Sequence, residues 1–286
     1  MKVVAVANTK GGAGKTTVCA NLGAISADAG LRTLLIDLDP IQPSLSSYFT
    51  LAYEAPGGIY ELIATNETRP ERVISRTVIP NLSVILSNDE NNQLINLLLQ
   101  APDGRLRLAQ LIKAFKDQFD LVLIDTQGAR SVVLEMCMLA ADLAVSPLPP
   151  NMLAAREFHR GTVQMLEGLR SYALLGLPVP PVRVVVNMLD NTTDAREIHQ
   201  AIRESFENNE YIQIIKNVIP ALTIFHVSST KGIAAHRLEY RQPSNRVAPS
   251  ALEIVRSLAI ELFPEWKEHF DVLTEEAVAK ISAGGR

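Results

Sequence analysis

A doubly wound α/β fold, with a mostly parallel sheet flanked by helices, is the architecture that this sequence predicts. Short apolar runs rich in β-branched residues alternate with longer amphipathic stretches along the chain. Several runs are apolar on both faces, which is typical of parallel strands that helices cover on either side. Strands that alternate with helices in this way join through right-handed crossovers and form a doubly wound sheet.

The pattern also predicts where the individual elements lie. Strands are expected over residues 2–7, 33–37, 82–87, 121–125, 143–148, 182–187 and 214–219. Helices are expected over residues 15–29, 91–99, 104–117, 153–175, 193–208 and 248–262. The tail, about residues 263–286, is expected to add one more helix with a frayed end.

The composition is that of an ordinary globular protein, and we expect residues 1–286 to form a single domain. Hydrophobic residues make up 47% and charged residues 20% of the chain, and no linker or repeat divides it. Cys19 and Cys137 lie far apart, so neither a disulfide framework nor a cysteine-based zinc site is encoded. No apolar run approaches the roughly 18 residues of a membrane span. A cytoplasmic location is therefore expected.

The stretch NTKGGAGKTT, residues 8–17, follows the first predicted strand and opens the first helix. Its spacing matches the phosphate-binding pattern G-x-x-x-x-G-K-[ST], except that Thr9 stands at the first glycine. Glycines let the backbone curl so that its N–H groups and the helix N-terminus face phosphate oxygens. Lys15 is placed to reach the β- and γ-phosphates, and the Thr16 hydroxyl to bind Mg²⁺. Lys10 is a second cation, which this pattern does not require.

Carboxylates follow two of the predicted strands, where a nucleotide-bound Mg²⁺ needs them. Asp125 ends the run LVLID, and Asp37 and Asp39 lie two residues apart in TLLIDLDP. Residues i and i+2 of an extended chain share a face, so both aspartates can point into one site. We expect Asp37 and Asp125 to hold the metal through water, and Asp39 to orient the attacking water. Because Asp39 precedes Pro40, a turn-forming role is the alternative for it.

The motif KGGAGKTT, residues 10–17, resembles the K-G-G-x-G-K-[ST]-[ST] signature of the deviant Walker A ATPases, the ParA/Soj/MinD family. Similarity to ParA extends to DLDP, DTQG, NLGAISADAGLRTLLIDLDP, GIYELI, VVVNMLD and NVIP. It covers most of the chain and is closest to the partition proteins ParA and Soj. The resemblance implies a P-loop NTPase fold and an Mg²⁺-dependent ATPase.

The resemblance also implies roles for individual residues. In this family two subunits face each other across two ATP molecules, and the early lysine reaches the partner's nucleotide. Carried over, Lys10 acts on the other subunit of a homodimer, together with the catalytic residues Lys15 and Asp39. A side chain at Gly11 is expected to block dimerisation. The residues expected to bind ATP are Gly11, Gly12, Ala13, Gly14, Lys15, Thr16 and Thr17 at the phosphates, and Asn187 and Pro220 at the adenine. For Asn187, a cap at the strand end is the alternative.

Two segments depart from the family pattern. Members commonly carry proline after the aspartate that corresponds to Asp125, whereas Gln127 and Gly128 follow it here. The conformation of this segment therefore cannot be carried over. After Pro40, Gln42 is displaced by one residue from the usual glutamine, and we assign it no role.

Partition proteins bind DNA without sequence preference through basic residues in their C-terminal half. Residues 216–246 carry five basic residues against the single acid Glu239, although the chain has a net charge of −4. Contacts to the phosphate backbone are one interpretation, and an ordinary solvated basic face is the other. The arginine positions that some members use are not matched. The candidates for contacts to double-stranded DNA are Arg196, Lys231, Arg237, Arg241 and Arg246.

The charge of the tail separates two branches of the family. MinD-like members end in a basic amphipathic helix that lies on a membrane. Residues 261–286 instead carry six acids against three basic residues, and that excess of negative charge repels anionic lipid. No membrane partner is therefore expected, and Trp266 and Phe270 are expected to pack on the body of the protein.

Together, these residues and the resemblance predict a ParA-like partition ATPase. ATP is expected to assemble a sandwich dimer that binds DNA non-specifically and associates with the nucleoid. A ParB-like centromere-binding partner is expected to stimulate hydrolysis, so that a plasmid, a chromosome region or a mobile element is segregated or positioned. The alternative is a MinD-like or other positioning ATPase that acts on a protein apparatus without DNA. A kinase or synthetase is a third possibility, but no constellation for a second substrate favours it.

Overall fold

A sheet of ten strands forms the centre of the molecule in the computed structural model, which describes residues 1–207 and 209–284. The strands are β1 (Lys2–Val6), β2 (Thr33–Leu38), β3 (Leu51–Tyr53), β4 (Ser75–Thr77), β5 (Leu82–Ile85), β6 (Leu121–Thr126), β7 (Leu143–Leu148), β8 (Val182–Leu189), β9 (Ile212–Ile214) and β10 (Ile219–Pro220). Their order across the sheet is β10-β8-β7-β1-β6-β2-β5-β4-β3, and β9 also pairs with β8. Pairing is antiparallel between β3, β4 and β5 and parallel elsewhere.

Helices connect these strands and form the tail. The α-helices are α1 (Lys15–Asp28), α2 (Ile59–Ala64), α3 (Pro70–Val73), α4 (Gln93–Gln100), α5 (Arg107–Leu111), α6 (Val132–Ala140), α7 (Met152–Phe158), α8 (Gln164–Leu169), α9 (Thr193–Phe206), α10 (Thr223–Lys231), α11 (Ala235–Leu238), α12 (Ala251–Leu262), α13 (Lys267–Asp271) and α14 (Glu275–Gly284). Short 3-10 segments cover Gly104–Leu106, Ile112–Phe115, Arg170–Leu175 and Pro264–Trp266, and His159–Val163 is a π-helical segment. Within the described residues, no helix is both long and apolar enough to cross a membrane.

Side chains of the central strands alternate between apolar cores on the two faces of the sheet. Along β1, Val4 and Val6 pack into the core that α1 and α12 cover. Val3 and Ala5, which point the opposite way, pack into the cores on the other face, under α6 and α7. This period of two is what a strand buried on both faces requires. The predicted mostly parallel α/β fold is confirmed.

The register of the central strands brings the candidate site together. β6 lies between β1 and β2, with Asp125 opposite Val6 on one side and opposite Asp37 on the other. All three strands are parallel, so their carboxyl ends and the loops that follow them meet at one edge of the sheet. That edge is where open α/β sheets bind ligands.

Capping side chains fix where several helices begin. Ser131, Asn151, Thr192 and Ser250 each accept a hydrogen bond from the backbone N–H three residues later, at the starts of α6, α7, α9 and α12. The last of these caps explains why the predicted helix 248–262 begins only at Ala251.

Three predicted elements are less regular than expected, and a fourth ends earlier. The predicted helix 153–175 is continuous but contains the π-helical segment, and 104–117 alternates between 3-10 and α geometry. The predicted strand 214–219 is divided into β9 and β10, which pair with different parts of β8. The predicted helix 193–208 ends at Phe206, and its residue 208 lies outside the described residues.

The tail forms a short 3-10 turn and two helices, α13 and α14, rather than one helix, and residues 285–286 lie outside the described part. Phe270 is fully buried, and Trp266 packs against the same core beside Phe263. Elements that the sequence did not predict include β3 and β4, which are short, and the helices α2, α3, α10 and α11.

Candidate nucleotide-binding site

The glycine-rich loop between β1 and α1 has the backbone that a phosphate cradle needs. Gly12 and Gly14 have φ angles of 74° and 82°, in the left-handed region that side chains rarely adopt. Gly14 is also the N-cap of α1, and a Cβ there would lie 2.4 Å from Asn187 Nδ2. Glycine is therefore required at this position by both conformation and space.

Lys15 begins α1 and lies folded into the loop. Its side chain is largely buried, and its Nζ donates to the carbonyl oxygen of Lys10 at 3.4 Å. Burial lowers the pKa of this amine, while the charges of Asp125 and Asp39 oppose that shift. A bound phosphate would supply the anionic partner that the buried ammonium lacks.

Thr16 and two buried carboxylates form a site that fits Mg²⁺. The Thr16 hydroxyl donates to Asp125 Oδ2 at 2.6 Å, whereas Asp125 Oδ1 is buried and has no hydrogen-bond partner among the described residues. Burial raises the pKa of Asp125 to about 7 and that of the neighbouring Asp37 to about 6. A hydrated cation would satisfy the free acceptor and stabilise both carboxylates in the charged form.

Asp37 is held in place by the segment that follows Asp39. Its Oδ2 accepts hydrogen bonds from the Ser46 backbone N–H at 2.7 Å and from the Ser46 hydroxyl at 2.8 Å, and its Oδ1 accepts from Asp39 N at 3.1 Å. Ser46 Oγ in turn accepts from Ser87 N at 2.8 Å. Sequence reasoning did not find Ser46, because nothing local links it to Asp37.

The surroundings of Asp39 fit both of its predicted roles, as a turn former and as a residue that orients the attacking water. Its Oδ1 accepts from the backbone N–H groups of Ile41 and Gln42, at 3.1 and 3.0 Å, so it does cap a turn. It also lines a polar cavity of about 450 Å³ beside the loop glycines. Other walls of this phosphate cavity are Lys15, Thr16, Thr17, Gln42, Ser44, Ser47, Tyr48, Gly128 and Ser229. Gln42, to which the sequence assigned no role, is thus part of the wall.

A second, mostly apolar cavity of about 350 Å³ adjoins the phosphate cavity, and Thr17 lines both. Asn187 and Pro220 are on its wall, at the ends of the paired strands β8 and β10. Asn187 Nδ2 donates to the Ala13 carbonyl at 2.8 Å, so this amide also fixes the loop. Helix α10 supplies Phe225 and His226 to the opposite wall. We refer to this space as the base cavity.

Lys10 points away from the nucleotide pockets of its own chain. Its Nζ lies 2.9 Å from Glu157 Oε2 in α7, and both side chains are partly exposed. One turn further along, a Cβ on Gly161 would lie 2.2 Å from Thr9 Oγ1, in the π-helical segment. The helix therefore lies directly against the first half of the loop.

Gly128 explains how the segment after Asp125 is accommodated without the usual proline. A Cβ on Gly128 would lie 2.7 Å from both Cα and N of Gly11, so this glycine packs on the backbone of the phosphate loop. The preceding Gln127 is buried and donates to the Ser131 hydroxyl at 2.6 Å. This amide bond holds the segment at the start of α6. By contrast, a Cβ on Gly11 meets no atom within 4 Å in the described chain.

Gly128→Ala is expected to destabilise the protein by about 1–3 kcal/mol and to weaken ATP binding, because the loop backbone must move. Chemical denaturation and titration with a fluorescent ATP analogue measure the two effects. Gly168→Ala is the matched control, since its Cβ would meet nothing closer than 3.7 Å. Equal behaviour of the two variants would contradict the packing argument.

The basic residues expected at DNA do not form one free surface. Arg237 donates from Nε to Asp28 Oδ2 at 2.7 Å and is mostly buried, and Arg246 pairs with Glu239 and donates to the Pro249 carbonyl at 2.8 Å. Both arginines thus join separate parts of the chain, Arg237 through the buried Asp28 and Arg246 through Glu239 and the Pro249 carbonyl. Arg196, Lys231 and Arg241 are exposed, with Arg241 3.5 Å from Glu275.

Asp28→Asn is expected to lower the free energy of unfolding by about 3 kcal/mol at neutral pH, because a buried ion pair loses one partner. Asp28 also bonds buried His236 at 2.8 Å. Burial by itself would raise the pKa of Asp28, but the bonds from Arg237 and His236 hold it below the ordinary value of 3.8. This stabilisation is therefore complete above about pH 4 and is lost as the pH falls through the lower folded pKa.

Urea unfolding of both proteins at pH 7 and at about pH 3 or below checks this expectation. The difference in free energy of unfolding between the wild type and Asp28→Asn should be smaller at the acidic pH than at pH 7. Asp103→Asn, which breaks an exposed pair with Arg107, serves as the control and should cost no more than about 1 kcal/mol. If the difference in free energy of unfolding between the wild type and Asp28→Asn does not change with pH, the ionised Asp28 is not the source of this stabilisation.

Comparison with known proteins agrees with this geometry. The family model described as "AAA domain" matches residues 1–171. The chain is 27% identical to the sporulation initiation inhibitor protein Soj of Bacillus subtilis (strain 168) over 221 residues. This aligned region covers 77% of this chain and 84% of Soj.

Solved structures share the whole fold. An ATP complex of a Cyanothece McdA variant is similar with a TM-score of 0.72 and 21% identity, over 99% of this chain and 96% of that one. Cobyrinic acid a,c-diamide synthase from Mycobacterium smegmatis, with an ATP analogue and magnesium, has a TM-score of 0.72 and 25% identity, over 93% and 96%. The signature at residues 10–17, the family match over residues 1–171 and the likeness to Soj show that this chain belongs to the ParA/Soj/MinD family of P-loop ATPases.

Proposed function

We propose that this protein is an Mg²⁺-dependent partition ATPase that switches between a monomer and an ATP-bound sandwich dimer. The observation that carries the proposal is the pairing of a phosphate cavity and a base cavity with a second lysine, Lys10, whose side chain is directed to Glu157 instead of into either cavity. In this proposal residues 1–286 act as one domain with a helical tail. ATP hydrolysis to ADP and phosphate resets the switch.

The proposed nucleotide contacts follow from the two cavities. The loop from Gly11 to Thr17 binds the phosphates, with Lys15 at the β- and γ-phosphates. Asn187 and Pro220 bind the adenine, where an amide can both donate and accept. Mg²⁺, when bound, neutralises developing phosphate charge. Thr16 would ligate it directly and Asp37 and Asp125 through water, a role that the free Asp125 Oδ1 supports.

A homodimer would bring the Lys10 of one subunit to the nucleotide of the other. The outward position of Lys10 supports this role, since its ammonium contacts a partly exposed carboxylate rather than its own phosphate cavity. The open space on the side of Gly11 where a Cβ would lie supports an approach of two backbones there. Size-exclusion chromatography with ATP should reveal the dimer, and an unchanged monomer would rule out the sandwich.

Asp39→Ala is expected to retain ATP binding and dimerisation but to lower turnover by about 10²–10⁴-fold, the usual contribution of a general base. Because Asp39 also caps a turn, Asp39→Asn is the informative control. Asparagine can accept the same backbone bonds but cannot take a proton from water. Phosphate release at saturating ATP measures turnover, and normal hydrolysis by Asp39→Asn would leave Asp39 as a turn residue only.

We further propose that the ATP-bound dimer binds double-stranded DNA without sequence preference and associates with the nucleoid in the cytoplasm. Lys231, Arg241 and Arg196 are the exposed basic residues that support this proposal. Arg237 and Arg246 are left out of the DNA surface, because their guanidinium groups are largely buried in ion pairs, whereas Arg241 is exposed beside Glu275. A ParB-like partner would stimulate hydrolysis and release the DNA.

A mobility-shift assay on arbitrary duplex, with and without ATP across a salt series, tests the DNA proposal. We expect a shift only with ATP, and an affinity that falls steeply with salt as released counterions require. Absence of any ATP-dependent shift at low salt would favour the alternative, a MinD-like or other positioning ATPase with a protein target. The acidic tail gives no support to a membrane partner for that alternative.

A further inference from the structure

A short segment, Ser44–Tyr48, lies between the carboxylate site and helix α10. Ser44, Ser47 and Tyr48 contribute to the wall of the phosphate cavity. Ser46 bonds the fully buried Asp37 through both its backbone N–H and its hydroxyl, and Ser87 fixes that hydroxyl from the other side. The middle of the segment is thus tied, through Ser46, to a carboxylate proposed to hold Mg²⁺.

The end of the segment is tied to α10 by Tyr48. The Tyr48 ring is buried, and its hydroxyl lies 2.8 Å from the buried Ser228 Oγ in the middle of α10. Gly232, directly after α10, has a φ of 64°, and a Cβ there would lie 2.8 Å from the Tyr48 carbonyl. Close packing at its backbone and a buried hydrogen bond at its side chain therefore both tie Tyr48 to α10.

A third contact ties Tyr48 to the start of the nucleotide-binding helix. Asn21 in α1 donates to the Thr17 carbonyl at 2.8 Å and approaches the Tyr48 hydroxyl at 3.5 Å. Its Oδ1 accepts from Ala235 N at 2.7 Å, at the start of α11. Tyr48 thus belongs to a buried polar network that reaches from the phosphate loop helix to the C-terminal helices.

Helix α10 lines both proposed nucleotide cavities and carries one proposed DNA contact. Its first turns line the base cavity through Thr223, Phe225 and His226, and Ser229 lines the phosphate cavity. Its last residue is the exposed Lys231. A shift of α10 would therefore change the nucleotide walls and one proposed DNA contact together.

We propose that Tyr48 is a positioning residue that makes helix α10 follow the state of the carboxylate site. The path runs from Asp37 through Ser46 to Tyr48, and from the Tyr48 hydroxyl to Ser228. A ligand that interacts with Asp37 changes the hydrogen bonds between Asp37 and Ser46 and so displaces the segment. Because Tyr48 in the same segment is bonded to α10, the helix moves or stiffens with it. This inference rests on the proposed ATP-dependent switch but does not require DNA as the target.

Hydrogen exchange of residues 223–231 in the full-length protein tests the inference. In the wild type, a non-hydrolysable ATP analogue with Mg²⁺ should slow exchange in α10 by about tenfold, the effect of one added buried hydrogen bond or more. Tyr48→Phe removes only the hydroxyl and keeps the ring. In this variant, at analogue concentrations that saturate it, the slowing should fall to about twofold or less.

Two further variants separate positioning from general destabilisation. Tyr53→Phe also deletes a tyrosine hydroxyl, which donates to the Glu71 carbonyl at 2.8 Å away from α10, and should behave as the wild type. Ser228→Ala removes the other partner of the bond and should reproduce Tyr48→Phe. Because both act on one bond, the double variant should be no worse than either single variant.

Either of two results would overturn the inference. One is a wild-type α10 whose exchange does not respond to the ATP analogue, and the other is a full response retained by Tyr48→Phe. Neither readout involves DNA. A protein that shows the α10 response but never shifts duplex DNA would refute the proposed DNA target and leave the inference intact.

Discussion

Lys10→Gln should lower ATP turnover by about 10³-fold or more while leaving ATP affinity within about threefold of the wild type. A cation delivered to the transferred phosphoryl group by a second subunit is worth about 10³–10⁵ in turnover. The substitution should leave the phosphate cavity of its own chain unchanged, because the Lys10 side chain pairs with Glu157 and does not line that cavity. Phosphate release at saturating ATP and Mg²⁺ measures the loss, and titration of a fluorescent ATP analogue measures the affinity.

Glu157→Gln is the matched control for this experiment. Glu157 is the intramolecular partner of Lys10, and an exposed pair of this kind is worth no more than about 1 kcal/mol. If Lys10 acts on the other subunit, freeing it from Glu157 should leave turnover within about threefold or raise it. If Glu157→Gln instead loses turnover as severely as Lys10→Gln, the important contact is the one within the chain. The proposed action across the dimer would then be wrong.

Lys15→Met should weaken ATP binding by about 10³-fold or more. It should nevertheless make the nucleotide-free protein more stable by about 1 kcal/mol. The folded pKa of Lys15 is lowered chiefly by burial, so the native state holds this proton less well than the unfolded chain does. At neutral pH the protonated amine therefore opposes folding. Methionine fills similar space without the charge.

Thermal unfolding with and without ATP and Mg²⁺ provides both readouts. The wild type should gain stability from the nucleotide, since a ligand that binds only the native state shifts the unfolding equilibrium. The variant should start from a higher midpoint and gain nothing. An unchanged or lower midpoint without nucleotide would show that the Lys15 ammonium is better compensated than its burial implies.

The sequence predicted the central fold because its strongest signals are local. Each strand of the sheet centre is a continuous apolar run, and the loop pattern requires a strand before it and a helix after it. The pairing of Asp37 with Asp125 follows from parallel register, which two strand-end aspartates already suggest. Individual roles of these residues remain predictions, since the arrangement supports them but only the variants can test them.

Features that depend on distant partners could not be predicted in this way. Arg237 and Arg246 lie in a basic segment that resembles a DNA-binding surface in composition. In the folded chain, however, Asp28 and Glu239 bind their guanidinium groups. Tyr48 and Ser228 are 180 residues apart in sequence and meet only in the folded chain. Helix α10 has neither a capping side chain nor a clear amphipathic pattern, so its residues did not predict a helix.

The contact between Thr9 and Gly161 links the loop motif to a residue far away in sequence. The usual pattern has a glycine at position 9, and here a threonine occupies it while a glycine lies opposite, on the π-helical segment. Thr9→Gly would remove the three nearest atoms that a Cβ on Gly161 would meet. The two positions therefore share one volume, and the residue that position 161 can hold depends on the residue at position 9.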